Sequence, residues 1–186
     1  MVHERLGGRR SIRLPEYDYS QDGAYFVTIC TQNKEHLFGE IASGKMILND
    51  AGRMIDMWWQ ELPKHFVPVQ IDQYVIMPNH VHGVIVIVGV DRCVDPRKTA
   101  EIKKGEHVGS PLPHIVQWYK TMTTNEYIKG VKTNRWRPFA RRLWQRNYYE
   151  HVIRNEYDLN EIRKYIIENP LKWALDEENP ERDMNM

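Results

Sequence analysis

The stretch Gln73-Tyr74-Val75-Ile76-Met77-Pro78-Asn79-His80-Val81-His82-Gly83-Val84-Ile85-Val86-Ile87-Val88 reads as a strand, a tight turn and a second strand that opens with two histidines. Successive strand side chains point to opposite faces, so His80 and His82 share one face and Val81 takes the other. That is a two-imidazole grip for a metal ion. Val84 to Val88 is a β-branched run suited to a buried central strand, which sets the histidines where a rigid sheet meets a loop. Rigid placement is what a catalytic metal requires.

By itself such a pair is equally two polar-face residues hydrogen-bonded to their neighbours. Among metal chemistries, the amidohydrolase barrels need a far longer chain than 186 residues. A histidine-triad hydrolase would want a third histidine at position 84, where Val84 stands. The remaining option joins the grip to a nucleophile elsewhere in the chain.

Length and a 41% hydrophobic content suit one domain with one core. No apolar run approaches the roughly 20 residues that span a bilayer, and Met1-Val2-His3-Glu4-Arg5 is no signal-peptide start, so a cytoplasmic protein is expected. Cys30 and Cys93 are too few and too far apart for a zinc knuckle or a disulfide framework. The net charge of +1 argues against a protein that coats nucleic acid by bulk electrostatics. The distribution is uneven, however. Lys132, Arg135, Arg137, Arg141, Arg142, Arg146 and Arg154 face Glu150 alone and alternate with Trp136, Phe139, Trp144, Tyr148 and Tyr149. Arginine between aromatics suits phosphate contacts and stacking on unpaired bases, and it also describes a solvated basic face over core aromatics.

Along the chain, residues 1–19 form a basic arm whose Arg9, Arg10 and Arg13 could touch phosphates. Residues 20–175 form the single domain, and 176–186 an acidic tail expected to fray. Tyr25 to Thr31 is a strand, and Leu37–Ile41 with Lys45–Leu48 a hairpin. Asn49 or Asp50 caps a helix with Met54, Ile55, Trp58, Trp59 and Leu62 on its apolar stripe, ending at Pro63. Residues 89–110 are a polar insertion. Pro111 to Ile128 resumes helical spacing and stops before Gly130, with Lys120 on a face that could line a phosphate path. Arg142 to Ile153 reads as one or two short strands, and Asn155 caps a last helix. There Leu159, Ile162 and Ile166 form the buried stripe, while Glu161, Tyr165 and Asn169 recur every four residues on an adjacent line that Pro170 stops. Tyr165 and Asn169 therefore project together.

Three motifs in this order, Met77-Pro78-Asn79-His80-Val81-His82, Trp144 to His151, and Tyr165-Ile166-Ile167-Glu168-Asn169-Pro170, resemble the single-tyrosine transposases of the His-hydrophobe-His superfamily. Within it the chain is most similar to the REP-associated tyrosine transposases, from about Arg9 to Trp173. The resemblance implies an α+β, ferredoxin-like antiparallel sheet with helices packed mainly on one face, His80 and His82 on a central strand and the tyrosine helix over them. It also implies metal-dependent cleavage and joining of single-stranded or hairpin DNA through a 5′-phosphotyrosine link. By position, Tyr165 matches the nucleophile, His80 and His82 the metal ligands, and Asn169 the polar residue that completes the metal site; Tyr148 and Tyr149 are rivals for the nucleophile, without a helical partner four residues on. The implied metal is Mg²⁺ or Mn²⁺, and relatives work as monomers or as homodimers. The expected DNA-binding set is Arg9, Arg10, Arg13, Lys120, Arg135, Arg137, Arg141, Arg142 and Arg146. Competing readings are a hairpin-binding protein without turnover, a phosphodiesterase that uses water, and an RNA-binding module, the last leaving the paired histidines unexplained.

Overall fold

Alternation along two apolar strands divides the molecule into faces. In the computed structural model, which describes residues 23–67, 69–88 and 111–182, strand β1 (Gly23–Cys30) pairs antiparallel with β5 (His80–Ile87), Gly23 opposite Ile87 and Cys30 opposite His80. Strand β4 (Val69–Ile76) lies beyond β5 and β6 (Tyr149–Ile153) beyond β1, giving an antiparallel sheet of order β4-β5-β1-β6. The histidine strand is therefore interior. The arm with Arg9, Arg10 and Arg13 and the insertion at 89–110 with Cys93 lie outside the described residues.

One face carries Tyr25, Val27, Ile29, Val81, Ile85 and Ile87. It is covered by α1 (Asp50–Gln60), the short α2 (Leu62–His65) and α3 (Pro111–Thr133), which supply Ile55, Trp59, Leu62, Leu112, Ile115, Tyr119 and Tyr127. On this face Gly83 is required by packing: a Cβ there would lie 2.3 Å from Trp59 Cζ2. The opposite face carries Phe26 and Val84, which among the described residues form a buried apolar cluster with Ile166 of α4 (Glu156–Glu168), with Leu159 and Ile162 at its edge. Helices thus gather mainly on one face, as expected, and among the described residues the tyrosine helix is the one α-helix on the histidine side. At roughly 1.5–3 kcal/mol for each fully buried large apolar side chain, the second face holds its helix far more weakly than the first holds α1 and α3.

Polar clamps add to that hold. A bulge in β4 between Ile71 and Tyr74 turns Asp72 toward α4, where Arg163 grips it with both arms of its guanidinium, Nε to Oδ1 at 2.7 Å and Nη2 to Oδ2 at 2.6 Å. The hydrogen bond from Arg163 keeps the Asp72 carboxyl below its ordinary range. At the other end, Asp158 Oδ2 meets His151 Nε2 of β6 at 3.0 Å.

Local signals mostly act as expected. Asn49 accepts from Gly52 N at 2.8 Å and Asn155 from Asp158 N at 2.9 Å, capping α1 and α4. Strands β2 (Gly39–Ala42) and β3 (Lys45–Leu48) form a separate hairpin whose turn residues Ser43 and Gly44 both take positive φ, 51° and 70°. Two boundaries differ. Pro63 does not end the helical path but sits in the first turn of α2, where its missing N–H costs nothing. Helix α3 runs through Gly130 to Thr133, because that glycine serves packing: a Cβ would lie 2.1 Å from Trp136 Cε3.

Candidate active site and metal centre

The turn between β4 and β5 is pinned from several sides. Met77 N donates to His80 O at 2.8 Å, Thr31 N to Asn79 O at 2.8 Å, and Leu37 N and Phe38 N to Pro78 O at 2.9 and 3.0 Å. His80 and His82 emerge from it buried, with ring centroids 4.3 Å apart.

Their neighbours fix what the rings present. Asn79 donates both amide hydrogens to carbonyls, Lys34 O at 3.1 Å and Glu178 O at 2.7 Å, so its Oδ1, 2.8 Å from His80 Nδ1, must accept. His80 Nδ1 therefore carries the proton, and Nε2 keeps a bare lone pair, buried and without a hydrogen-bond partner. Burial first, then the charges of Lys34 and His36, push the His80 pKa down to about 3. On His82, Nδ1 lies 2.9 Å from Thr28 Oγ1 and Nε2 3.3 Å from the Tyr165 hydroxyl. Phe26 stacks on the His82 ring at 5.4 Å and meets the Tyr165 ring edge-on at 6.0 Å, which spaces the two groups.

Because the folded-state pKa of His80 lies below the unfolded value of about 6.5, the unfolded chain binds more protons once the pH drops under that value. Stability of the metal-free protein should then decline as pH falls from about 6.5 toward about 3, by on the order of 4 kcal/mol from this residue. Denaturant unfolding in chelator across that range should show a steeper decline than in His80→Gln, which keeps only the contribution of other groups such as Asp72; identical pH profiles for the two proteins would refute it.

Asn169 caps the C-terminus of α4 and is buried. Its Nδ2 donates to Asp176 Oδ2 at 2.7 Å, and its Oδ1 is buried without a partner. The sequence reading missed Asp176, placing it in a fraying acidic tail. Instead a 3₁₀ turn (Trp173–Leu175) folds the chain back, with Trp173 against His36 and His80 at 5.5 and 6.0 Å, and Asp176, Glu178 and Asn179 are buried. Nothing in the spacing of that run separates Asp176 from its neighbours; Trp173, an aromatic beside the run, is the one residue that hints at packing. Ligand atoms of His80, His82 and Asp176 lie within 4.8 Å of one another. Two nitrogen lone pairs, a carboxylate and an unpartnered amide oxygen fit a divalent cation, and this group could hold one.

A cleft of about 500 Å³ opens on these groups, lined by Phe26, His82, Tyr165, Asn169 and Asp176 among others. Tyr149 also lines it; Tyr148 lines a different groove. That groove, about 770 Å³, runs between α3 and the segment before β6, with Arg141, Arg142, Arg146, Lys120, Trp144 and Tyr148 in its wall. Lys120 braces the segment before β6: its Nζ donates to Gln145 O at 3.2 Å and Asn147 O at 3.1 Å, and burial pushes its pKa down to about 8. Arg135 and Arg137 are exposed on the same segment, outside the groove wall.

An antiparallel α+β domain with paired histidines on an interior strand and a tyrosine reaching them from the helix above has the fold of the tyrosine transposases. Over 90% of this chain and 74% of the other, it superposes with a TM-score of 0.50 and 17% identity on a REP-associated tyrosine transposase solved bound to a REP hairpin. In sequence it is 24% identical over 158 residues, 83% of this chain and 74% of the other, to a Haemophilus influenzae protein named "putative REP-associated tyrosine transposase". The expected likeness to REP-associated tyrosine transposases is thus found in fold and in sequence. The chain belongs to one family with a second Haemophilus influenzae protein, an uncharacterized one, to which it is 42% identical over 174 residues, 91% of this chain and 92% of that one. No family model matches the chain. Among the described residues no helix is long and apolar enough to cross a membrane.

Proposed function

We propose that the chain is a metal-dependent transesterase that cuts and rejoins single-stranded DNA at hairpin-forming sequences, with Tyr165 as nucleophile. The observation that carries this is the Tyr165 hydroxyl 3.3 Å from His82 Nε2 within one molecule, so no exchange of helices between copies is needed to assemble the pair. The Tyr165 oxygen attacks phosphorus, the P–O3′ bond breaks, the phenol gives up its proton and the 3′ oxygen gains one, leaving a 5′-phosphotyrosine link. Because the link is itself a phosphodiester, a second 3′-hydroxyl reverses the step without ATP. His80, His82 and Asn169 would hold Mg²⁺ or Mn²⁺, which supplies Lewis-acid stabilisation of charge on the scissile phosphate. Asn79 and Thr28 orient the imidazoles, and Phe26 sets the ring of Tyr165 against His82. The solved neighbour's hairpin supports a hairpin substrate here.

Charge separates binding from chemistry. The catalytic cleft is lined by Asp158, Glu161, Asp176, Glu177 and Glu178 against Lys172 and Arg182, an environment that repels a polyanion. Affinity for DNA then comes from cations elsewhere, and among the described residues the groove of Arg141, Arg142 and Arg146 has no acidic residue in its wall. Replacing these three by alanine should flatten the slope of log K against log salt for single-stranded DNA by about 2, with cleavage at saturating DNA little changed. An unchanged slope in a filter-binding salt titration would remove the groove from the DNA path. The reaction itself is tested by incubating the protein and a hairpin-bearing single strand with Mn²⁺ and looking for a denaturation-resistant adduct; cut DNA with no adduct would mean that water is the nucleophile.

A further inference from the structure

We propose that the acidic segment after the tyrosine helix is a working wall of the metal site: Asp176 is a ligand beside His80 and His82, and a latch of Lys34, Asn79 and Glu178 sets metal affinity by holding it there. The inference rests on the metal reading above and deepens it.

Asp176 is 7% exposed and makes no ion pair among the described residues. Its Oδ2 accepts from Asn169 Nδ2 and its Oδ1 from Glu178 N, both at 2.7 Å, which leaves each oxygen a further lone pair. A buried carboxylate without a cation is costly. Beside it stand two other acceptors with nothing to accept, His80 Nε2 and the Oδ1 of the same Asn169 amide that touches Asp176. Acceptors gathered without donors are what a bound cation satisfies.

The latch connects this segment to a histidine. Asn79 holds Glu178 O with Nδ2 while its Oδ1 fixes the His80 ring, so one side chain positions a ligand and the strap that carries another. Lys34 Nζ donates to Glu177 O at 2.6 Å and pairs with the buried Glu178 carboxylate at 3.2 Å. By linkage, whatever factor the docked strap adds to metal affinity, the metal returns to the docking of the strap.

The test is Mn²⁺ titration of the full-length chain without DNA, with free Mn²⁺ read by electron paramagnetic resonance and each fold checked by thermal melting in chelator. Asp176→Asn, which keeps the shape, should bind Mn²⁺ about a hundredfold more weakly, and Lys34→Met, which leaves every metal donor in place, about tenfold. Mn²⁺ should protect the 176–182 segment from protease in the wild type and not in Asp176→Asn. His80→Ala separates the two readings. If it loses Mn²⁺ while Asp176→Asn and Lys34→Met bind as the wild type does, the metal site stands and the strap is not part of it. If His80→Ala itself binds Mn²⁺ normally, the metal reading fails first. Unchanged Mn²⁺ affinity with faster DNA cleavage in Asp176→Asn would make the strap a cover over the site and overturn its role as a ligand.

Discussion

Tyr165→Phe should abolish the covalent protein–DNA adduct and lower strand cleavage by about 10⁴-fold or more, the scale on which enzymes lose rate with their nucleophile. The loss should be confined to chemistry. The side chain is 45% exposed, and phenylalanine keeps the ring contacts with Phe26 and His82, so the melting free energy should stay within about 0.5 kcal/mol of wild type. DNA affinity should change less than twofold, because the groove cations are elsewhere. Denaturing gels with labelled hairpin DNA and Mn²⁺ read the adduct and the cleavage, denaturant melts the stability and filter binding the affinity, each run beside Tyr148→Phe and Tyr149→Phe. Tyr149 is the informative control, since it lines the same cleft. An adduct that persists in Tyr165→Phe and disappears in Tyr149→Phe would transfer the nucleophile to β6. Cleavage without adduct in every protein, wild type included, would leave Tyr165 a structural residue and the enzyme a hydrolase.

The features that were legible in the sequence share one property: each is fixed by a local period or a local hydrogen bond. The alternation His80, Val81, His82 sets both imidazoles on one face however the sheet is assembled, and a spacing of four sets Tyr165 and Asn169 on one line of a helix. Asn49 and Asn155 cap because a side-chain oxygen near its own backbone needs no tertiary partner. What escaped depended on distant chain. Gly130 looked like a stop, yet the partner that needs its missing Cβ is Trp136, beyond the helix end. Lys120 read as part of a helix face that could line a phosphate path, and its two carbonyl partners in the 145–147 segment, some 25 positions on, left no local sign. Asp176 looked solvated, because the residues that bury its segment, Asn79 and Lys34, are roughly a hundred or more positions away, and charge runs at a chain end are ordinarily left in water. The stripe of α4 fits either face of a sheet; Asp72, aimed by a bulge that no period announces, meets Arg163 on the histidine side.

His80→Ala and His82→Ala should each reduce cleavage by about 10³-fold or more, and chelator should bring the wild type to the same level. The two substitutions differ in what else they disturb. His80 is buried with an unpartnered Nε2, so removing it deletes a polar atom that the metal-free protein cannot satisfy, and its cost in chelator should be smaller than the volume lost would suggest. His82 touches both Thr28 and Tyr165, so His82→Ala also frees the tyrosine ring from one of its neighbours. Added Mn²⁺ should therefore raise the melting temperature of the wild type, and of neither variant. DNA binding should survive in both within about threefold, since Arg141, Arg142 and Arg146 are untouched. Asn79→Ala should fall between them and the wild type, about 10- to 100-fold down, because it releases the His80 tautomer without removing a ligand. Full cleavage in chelator, or in His80→Ala with Mn²⁺ present, would mean that the paired imidazoles serve the fold alone and that Tyr165 must act without a metal beside it.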